Sequence, residues 1–218
     1  MKTKSGGIFG QGVFFGGWFD AAVCVLFGIA VYLMNEIYDI LNHGPAVLNL
    51  QTALDRALPL VPVFVVPYVS LNPFVYASLI LFLVFRSKIF QSAAASMLGA
   101  WLVSYLFYFF LQTEVVRPTI TAAGVFNDML RNVYLGDHPY NDFPSLHTSI
   151  STILAIHWFR LDRRIGWPVA VWTALIVAST VLVKQHYVAD VAAGLILAFA
   201  SSSLFARLFI RERSVSRS

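Results

Sequence analysis

Cysteine is all but absent. Cys24 is the only thiol in 218 residues, so no internal disulfide can form, and no metal-ligand spacing involves it. It reads as a small buried hydrophobe inside the first apolar run. Charge is scarce as well. Only 12% of residues are Asp, Glu, Lys or Arg and 58% are hydrophobic, whereas a soluble domain carries about 25% charge. That excludes an ordinary soluble fold and identifies an integral membrane protein whose length suits one helical domain. No tandem or inverted repeat is present, nor any low-complexity tract beyond the glycine-rich stretch Gly6 to Gly17. No cleavable leader is expected, because the first apolar run is long and no convincing small-residue cleavage site follows it.

What is present is a series of apolar runs. A spanning helix needs about 20 mostly apolar residues, and the sequence predicts six: about 18–36, 61–85, 91–111, 145–160, 167–184 and 186–210. Pro62, Pro67 and Pro73 predict a kinked entry to the second, which membrane helices tolerate when neighbours re-satisfy the backbone. The fourth is short and rich in hydroxyls (Thr148, Ser149, Ser151, Thr152), so it is expected inside the bundle. The stretch 112–144 is expected to be a loop at the active face.

Basic residues alternate by loop. Lys2 and Lys4 precede the first span, and Arg86 and Lys88 separate the second from the third. Arg160, Arg163 and Arg164 separate the fourth from the fifth, and Arg207, Arg211, Arg213 and Arg217 follow in the last stretch. With six crossings all four groups share one side, and the other side holds only Arg56, Arg117, Arg131 and Lys184. The positive-inside rule then puts both termini in the cytoplasm and the loops after the first, third and fifth spans outside it.

Those outer loops hold the chemistry. Asn141-Asp142-Phe143-Pro144-Ser145-Leu146-His147 opens the fourth span, and His186-Tyr187-Val188-Ala189-Asp190 opens the sixth. Ionisable groups near lipid are costly unless paired or used. His186 and Asp190, four apart, would share one face of a helix. The carboxylate would then fix the imidazole tautomer and leave the other nitrogen as nucleophile or base. A hydrogen-bonded pair that only fixes packing has the same spacing. Pro144 suits a first helical turn, whose free N–H groups favour an anion. Ser145 would cap that helix or bind phosphate, and His147 would protonate a leaving oxygen. A plain cap with an interfacial histidine fits equally. Arg117-Pro118 offers a guanidinium suited to bidentate phosphate binding or to interfacial anchoring. Lys184 would add charge or merely snorkel.

Taken together, Arg117-Pro118, Pro144-Ser145-x-His147 and Gln185-His186-Tyr187-x-x-Asp190 resemble the motifs of the type-2 phosphatidate phosphatase superfamily. That superfamily shares its active-site plan with vanadium haloperoxidases and bacterial acid phosphatases. The resemblance runs from Arg117 to Asp190, and its form is most similar to the branch of inositol phosphorylceramide synthase-like phosphotransferases. It implies an all-α bundle of six transmembrane helices of the lipid phosphate phosphatase type, integral to a bacterial inner (plasma) membrane. His186 would attack phosphorus to form a phosphohistidine, Asp190 would orient it, and His147 would protonate the departing alkoxide and then activate the acceptor. Arg117 and Ser145 would hold phosphoryl oxygens. No metal or other cofactor would be needed. The expected partners are a lipid phosphate substrate and the bilayer, with no nucleic acid; protein partners are not specified.

Two positions depart from that pattern. Phe110 stands where a lysine is expected seven residues before Arg117, and Ser179-Thr180 stands where Ser-Arg is expected. Phosphoryl transfer needs compensating positive charge, so Lys184 is the first candidate to supply it and Arg131 the second. The expected function is hydrolysis of a membrane lipid phosphate or pyrophosphate, with transfer to a lipid or polyol hydroxyl as the alternative. A transporter or channel fits less well, since repeats are lacking and the polar groups cluster at one face. A zinc hydrolase using His147, His186 and Asp190 is disfavoured by the nearby cations. Of the rest, His157 reads as interfacial, His138 and Asp142 as a solvated loop, Glu114 as a partner for Arg117 or Arg131, and Tyr187 as a substrate contact.

Overall fold

A computed structural model describes residues 17–46 and 48–210. Lys2, Lys4, Arg211, Arg213, Arg217 and nearly all of the glycine-rich start lie outside the described residues. Within them the chain is helical, with no strand. The helices are α1 (Trp18–Leu41), α2 (Ala53–Ala57), α3 (Val65–Val69), α4 (Leu71–Phe85), α5 (Ser87–Phe110), α6 (Val125–Gly136), α7 (Leu146–Leu161), α8 (Arg163–Leu182) and α9 (Val188–Phe209).

Five segments are long and apolar enough to cross a membrane: Trp18–Leu41, Pro62–Phe85, Ser87–Phe110, Arg163–Leu182 and Val188–Phe209. The expected fourth span, α7, has 16 residues. At 1.5 Å per residue it is about 24 Å long, short of a hydrocarbon core of about 30 Å. It packs between α5, α8 and α9 with most of its side chains buried. Its hydroxyls are therefore sheltered by neighbouring helices rather than lipid. Thr173 Oγ1 of α8 donates to the Ser151 carbonyl at 3.3 Å, and Ser151 Oγ donates to the His147 carbonyl at 2.6 Å.

Small residues set how closely these helices approach, as is usual where lipid removes any hydrophobic drive between helices. On α5, Ala93, Ala94, Ser96 and Ala100 are fully buried. Gly194 of α9 is required by space: a Cβ there would stand 2.7 Å from the Ser145 carbonyl oxygen at the start of α7. The same approach brings the Ser145 N–H onto the Asp190 carbonyl at 3.1 Å, so the N-termini of α7 and α9 are locked side by side.

The prolines of the second span act as expected. A 3-10 turn (Pro62–Phe64), α3 and α4 follow one another with a break at Ser70, whose hydroxyl donates to the Pro67 carbonyl at 2.7 Å. α1 extends five residues past its expected end, because its polar last turn remains helical and is met by other loops. Asn42, just after it, donates from Nδ2 to Asp137 Oδ1 at 2.7 Å. The stretch 112–144 is not all loop, since it contains α6. It is tied down by bridges between Leu48 and Thr113 and between Glu114 and Tyr140.

The loops after α1, α5 and α8 meet at one end of the bundle, where the Val61 N–H donates to the Leu182 carbonyl at 2.9 Å. Arg86, Lys88, Arg160, Arg163, Arg164 and Arg207 lie at the other end. There Asp20 of α1 accepts from Lys88 Nζ at 2.6 Å and Ser87 Oγ at 2.7 Å, pinning α1 to the start of α5. Cys24 is buried beside this cluster, as expected. His157 is not interfacial: it is fully buried, with Nε2 2.9 Å from Ser92 Oγ and Nδ1 2.8 Å from the Ile153 carbonyl.

Candidate active site

Two imidazoles face each other at the end of the bundle where the loops after α1, α5 and α8 meet. The rings of His147 and His186 are 6.0 Å apart between centroids, tilted by 59°. His147 lies in the first turn of α7. His186 is not on a helix, because α9 starts two residues later at Val188. Its position comes from how α8 ends. Lys184 adopts φ 57°, its N–H donates to the Val181 carbonyl at 3.2 Å, and the Gln185 N–H donates to the Thr180 carbonyl at 2.9 Å. This is the 6→1, 5→2 pairing of a Schellman stop, with lysine where glycine is usual. It reverses the chain and delivers His186 to the site.

Asp190, in the first turn of α9, is fully buried. Its Oδ2 accepts the Tyr187 N–H at 2.7 Å and stands 3.5 Å from His186 Nδ1. That is longer than a hydrogen bond of about 2.7–3.2 Å, and both His186 Nδ1 and Asp190 Oδ1 are buried without a partner. Unfilled pairs of this kind are common in catalytic sites before substrate binds. With Nδ1 turned to the carboxylate, Nε2 is the nitrogen left for chemistry.

Ser145 caps α7: its Oγ accepts the Thr148 N–H at 3.3 Å. The N–H groups of Leu146 and His147 are left for an anion. Behind His147, the Tyr68 ring stacks at 4.2 Å and 15°. The Tyr68 hydroxyl reaches Asp137 Oδ2 at 3.4 Å, and Tyr38 donates to Asp137 Oδ1 at 3.1 Å. Burial pushes the Asp137 carboxyl up from the ordinary carboxylate value, against the pull of Arg117 and the tyrosine hydrogen bonds. No sequence pattern marks Tyr68 or Asp137 for the site. Tyr68 sits in a proline-broken span and Asp137 in the presumed loop, and neither belongs to a motif.

Arg117 is close by but heavily engaged. It donates to the carbonyls of Asp137 at 2.6 Å, Tyr134 at 3.4 Å and His138 at 3.2 Å, and also to Gln185 Oε1. It thereby holds the C-terminal end of α6, where a cation is favourable, and lies over the Tyr134 ring at 5.0 Å. Only its Nε is buried without a partner, as is Gln185 Nε2. Lys184 turns its amine away from the imidazoles, onto the carbonyls of Asp55 at 2.9 Å and Leu58 at 2.6 Å. Arg131 pairs with Asp128 and donates to the Ile120 and Ala122 carbonyls of its own loop. Phe110 is 67% exposed on the outside of the bundle, while Thr180 is fully buried.

Asp142 is not in solvent. It is 4% exposed, and burial, reinforced by the charge of Asp190, raises its carboxyl well above the ordinary value. Its backbone N–H and that of Phe143 donate to Thr113 Oγ1 at 3.2 and 3.1 Å. His138 is exposed, as expected. Among the described residues Glu114 ion-pairs with neither Arg117 nor Arg131. The Tyr187 hydroxyl accepts the Val116 N–H at 2.9 Å, so it positions the loop carrying Arg117. Among the described residues no three His, Cys, Asp or Glu side chains come together as a metal-ligand group.

Two cavities of about 390 Å³ each reach His186. One is basic, lined by Arg56, Arg117 and Lys184 together with Tyr187. Arg56, on α2, makes no side-chain hydrogen bond to a described residue. In the sequence Arg56 stands out only as a charge, since α2 is short and bears no motif. The other cavity lies between α1 and α4 and also reaches His147.

A family model described as the PAP2 superfamily matches residues 43–204. The chain is also similar to an uncharacterized protein of Methanocaldococcus jannaschii, at 30% identity over 101 residues. That alignment covers 45% of this chain and 40% of the relative, so the chain spans less than half of that protein's length. No solved structure matches.

Proposed function

This chain belongs to the PAP2 superfamily of phosphatase-type enzymes, and from that premise we propose that it cleaves a membrane lipid phosphate or pyrophosphate, without a metal, through a phosphohistidine. The observation that carries the proposal is the facing pair of His186 and His147, with Asp190 behind His186 at 3.5 Å.

In the first step His186 Nε2 attacks phosphorus and the bond from phosphorus to the leaving oxygen breaks. His147, carrying a proton taken up together with the anionic substrate, gives that proton to the leaving oxygen. Asp190 holds the proton on His186 Nδ1 and stabilises the cationic ring as the N–P bond forms. In the second step water attacks the phosphohistidine, His147 takes the water's proton, and phosphate departs with His186 restored. Charge on the phosphoryl oxygens is met by Arg56 and Arg117 from the basic cavity, by Gln185 Nε2, and by the free N–H groups at the start of α7. Arg56 takes the part that Lys184 was expected to play, because the Lys184 amine is committed to backbone carbonyls. With α7 as a sixth crossing, the positive-inside rule puts both termini in the cytoplasm and the site at the extracytoplasmic surface.

A second reading, transfer of the phosphoryl or a phospho-headgroup to an alcohol, is favoured by one feature: the cavity beside His147 has a polar lining that water as acceptor does not require. The test of the shared chemistry is His186→Ala in purified, detergent-solubilised protein. Release of phosphate from a panel of lipid phosphates should vanish, and a chelator should leave the wild-type rate unchanged. Full activity in His186→Ala would overturn the phosphohistidine.

A further inference from the structure

The two histidines of the site are held in different ways. His186 has the Asp190 carboxylate behind it at 3.5 Å. Among the described residues His147 has no carboxylate within ion-pair distance, and its ring makes no hydrogen bond. A phenol fixes it instead. The Tyr68 and His147 rings stack 4.2 Å apart between centroids and 15° from parallel. Two neutral aromatic rings avoid a close parallel stack and sit offset or edge-on, with centroids about 4.5–7 Å apart. Neighbouring pairs follow that rule: Tyr38 and Tyr108 meet at 6.3 Å and 77°, and Phe107 and Phe143 at 5.3 Å and 76°. A flat cation gains from the arrangement that His147 adopts, because the face of a phenol is negative. Protonated imidazole is such a cation.

Tyr68 is itself braced on several sides. It is 5% exposed and belongs, with Val65, Leu130 and Val183, to a small apolar cluster apart from the main core. That cluster joins α3 to α6 and to the end of α8. The Tyr68 hydroxyl reaches Asp137 Oδ2 at 3.4 Å, a long contact that orients the ring rather than anchoring it. Asp137 is in turn held through Oδ1, which accepts from Asn42 Nδ2 at 2.7 Å and from the Tyr38 hydroxyl at 3.1 Å. Three elements therefore converge on a ring whose face is spent on one imidazole.

We propose that Tyr68 is the positioning residue for the acid of the reaction: its ring fixes the plane of His147 and stabilises the imidazolium present while the substrate is bound. The inference rests on the reading of His147 as that acid. A sheltered cation without a partner is costly. His186 meets that cost with the charge of Asp190, and His147 meets it with the Tyr68 face. Tyr68 makes and breaks no bond. It acts on the step in which the leaving oxygen takes the His147 proton, and it has little to do when that oxygen departs as a stable anion.

The test compares two leaving groups. The alkoxide of dodecyl phosphate must be protonated as it leaves, whereas the phenolate of para-nitrophenyl phosphate leaves as the anion. Both are assayed on one detergent-solubilised preparation, so the ratio of their kcat/KM values does not depend on how much of it is folded. Tyr68→Leu should lower kcat/KM for dodecyl phosphate by about 10–30-fold and for para-nitrophenyl phosphate by at most about threefold. Tyr68→Met should do the same and serves if Tyr68→Leu does not fold. Tyr68→Phe keeps the ring and should stay within about threefold of wild type on both substrates. An equal loss on both substrates in Tyr68→Leu or Tyr68→Met would overturn the proposal, and so would a Tyr68→Phe as impaired as Tyr68→Leu. His147→Ala tests the underlying reading separately and should show the same split, only larger. If His147→Ala shows it while the Tyr68 variants do not, the acid stands and the role of Tyr68 is refuted. If His147→Ala slows both substrates alike, His147 is not the acid, and the two readings fall together.

Discussion

Asp190 Oδ2 stands 3.5 Å from His186 Nδ1 although the two residues do not share a helix. The carboxylate is fixed by the backbone of Tyr187, whose N–H it accepts at 2.7 Å. The capping bond that starts α9 therefore also aims a negative charge at the imidazole. Asp190→Asn keeps an oxygen for the cap and removes the charge that holds the tautomer and stabilises the cationic ring. Turnover should fall by about 10²–10⁴-fold, with KM and the melting temperature little changed. Wild-type turnover in this variant would show that Asp190 serves only to cap the helix.

Arg56 and Lys184 line the same basic cavity but are predicted to fail differently. Arg56 makes no side-chain hydrogen bond to a described residue, so Arg56→Ala should lower kcat/KM by about 10–10²-fold and weaken inhibition by inorganic phosphate, without loss of stability. The Lys184 amine ties α2 to the end of α8 through two carbonyls. Lys184→Met should lower the melting temperature and, by releasing α2, take activity with it. If Arg56→Ala leaves phosphate inhibition untouched while Lys184→Met weakens it at unchanged stability, the two roles are reversed.

Five of the six expected spans, and the meeting of His147, His186 and Asp190, were legible in the sequence because both rest on local pattern: long apolar runs broken by charged turns, and histidines at fixed spacing from Ser145 and Asp190. What was not legible depends on where loops return. The sequence placed His186 and Asp190 on one helix. The structure brings them together through a Schellman stop that lysine, not glycine, completes, and no composition rule points to Lys184 for that role. α6 went unread because it is short and its apolar face is covered chiefly by the turn at Pro62–Phe64, by α3 and by Val183 after α8. Asp142 looked solvated because its neighbours in sequence are polar, whereas its surroundings in space are the buried ends of α5, α7 and α9.

The burial of Asp142 has a sign that can be measured. Its carboxyl is raised in the folded protein, first by desolvation and next by the charge of Asp190. The folded state therefore binds the proton more tightly than the unfolded chain. Stability from this group is present at acid pH and is lost as pH rises from the ordinary carboxylate value through the raised one. Asp142→Asn removes the titration. Melting curves across acid to neutral pH should show the variant gaining on wild type as pH rises and converging with it at the acid end. A constant difference across the range would mean that Asp142 does not titrate in that window.

The orientation rests on arginine and lysine placement, and it can be checked at one exposed residue of the site loop. His138 is exposed and its side chain makes no hydrogen bond to a described residue, so His138→Cys should not disturb the fold. Cys24, the natural thiol, is 4% exposed inside the bundle and should stay silent to a membrane-impermeant thiol reagent. Intact cells carrying His138→Cys should therefore label from outside, with wild type as the blank, and opening the membrane should add little. Labelling that appears only after the membrane is opened would place the two imidazoles on the cytoplasmic face. The substrate would then have to be a lipid phosphate of the inner leaflet, reached in a compartment where soluble phosphate esters compete for the same basic cavity.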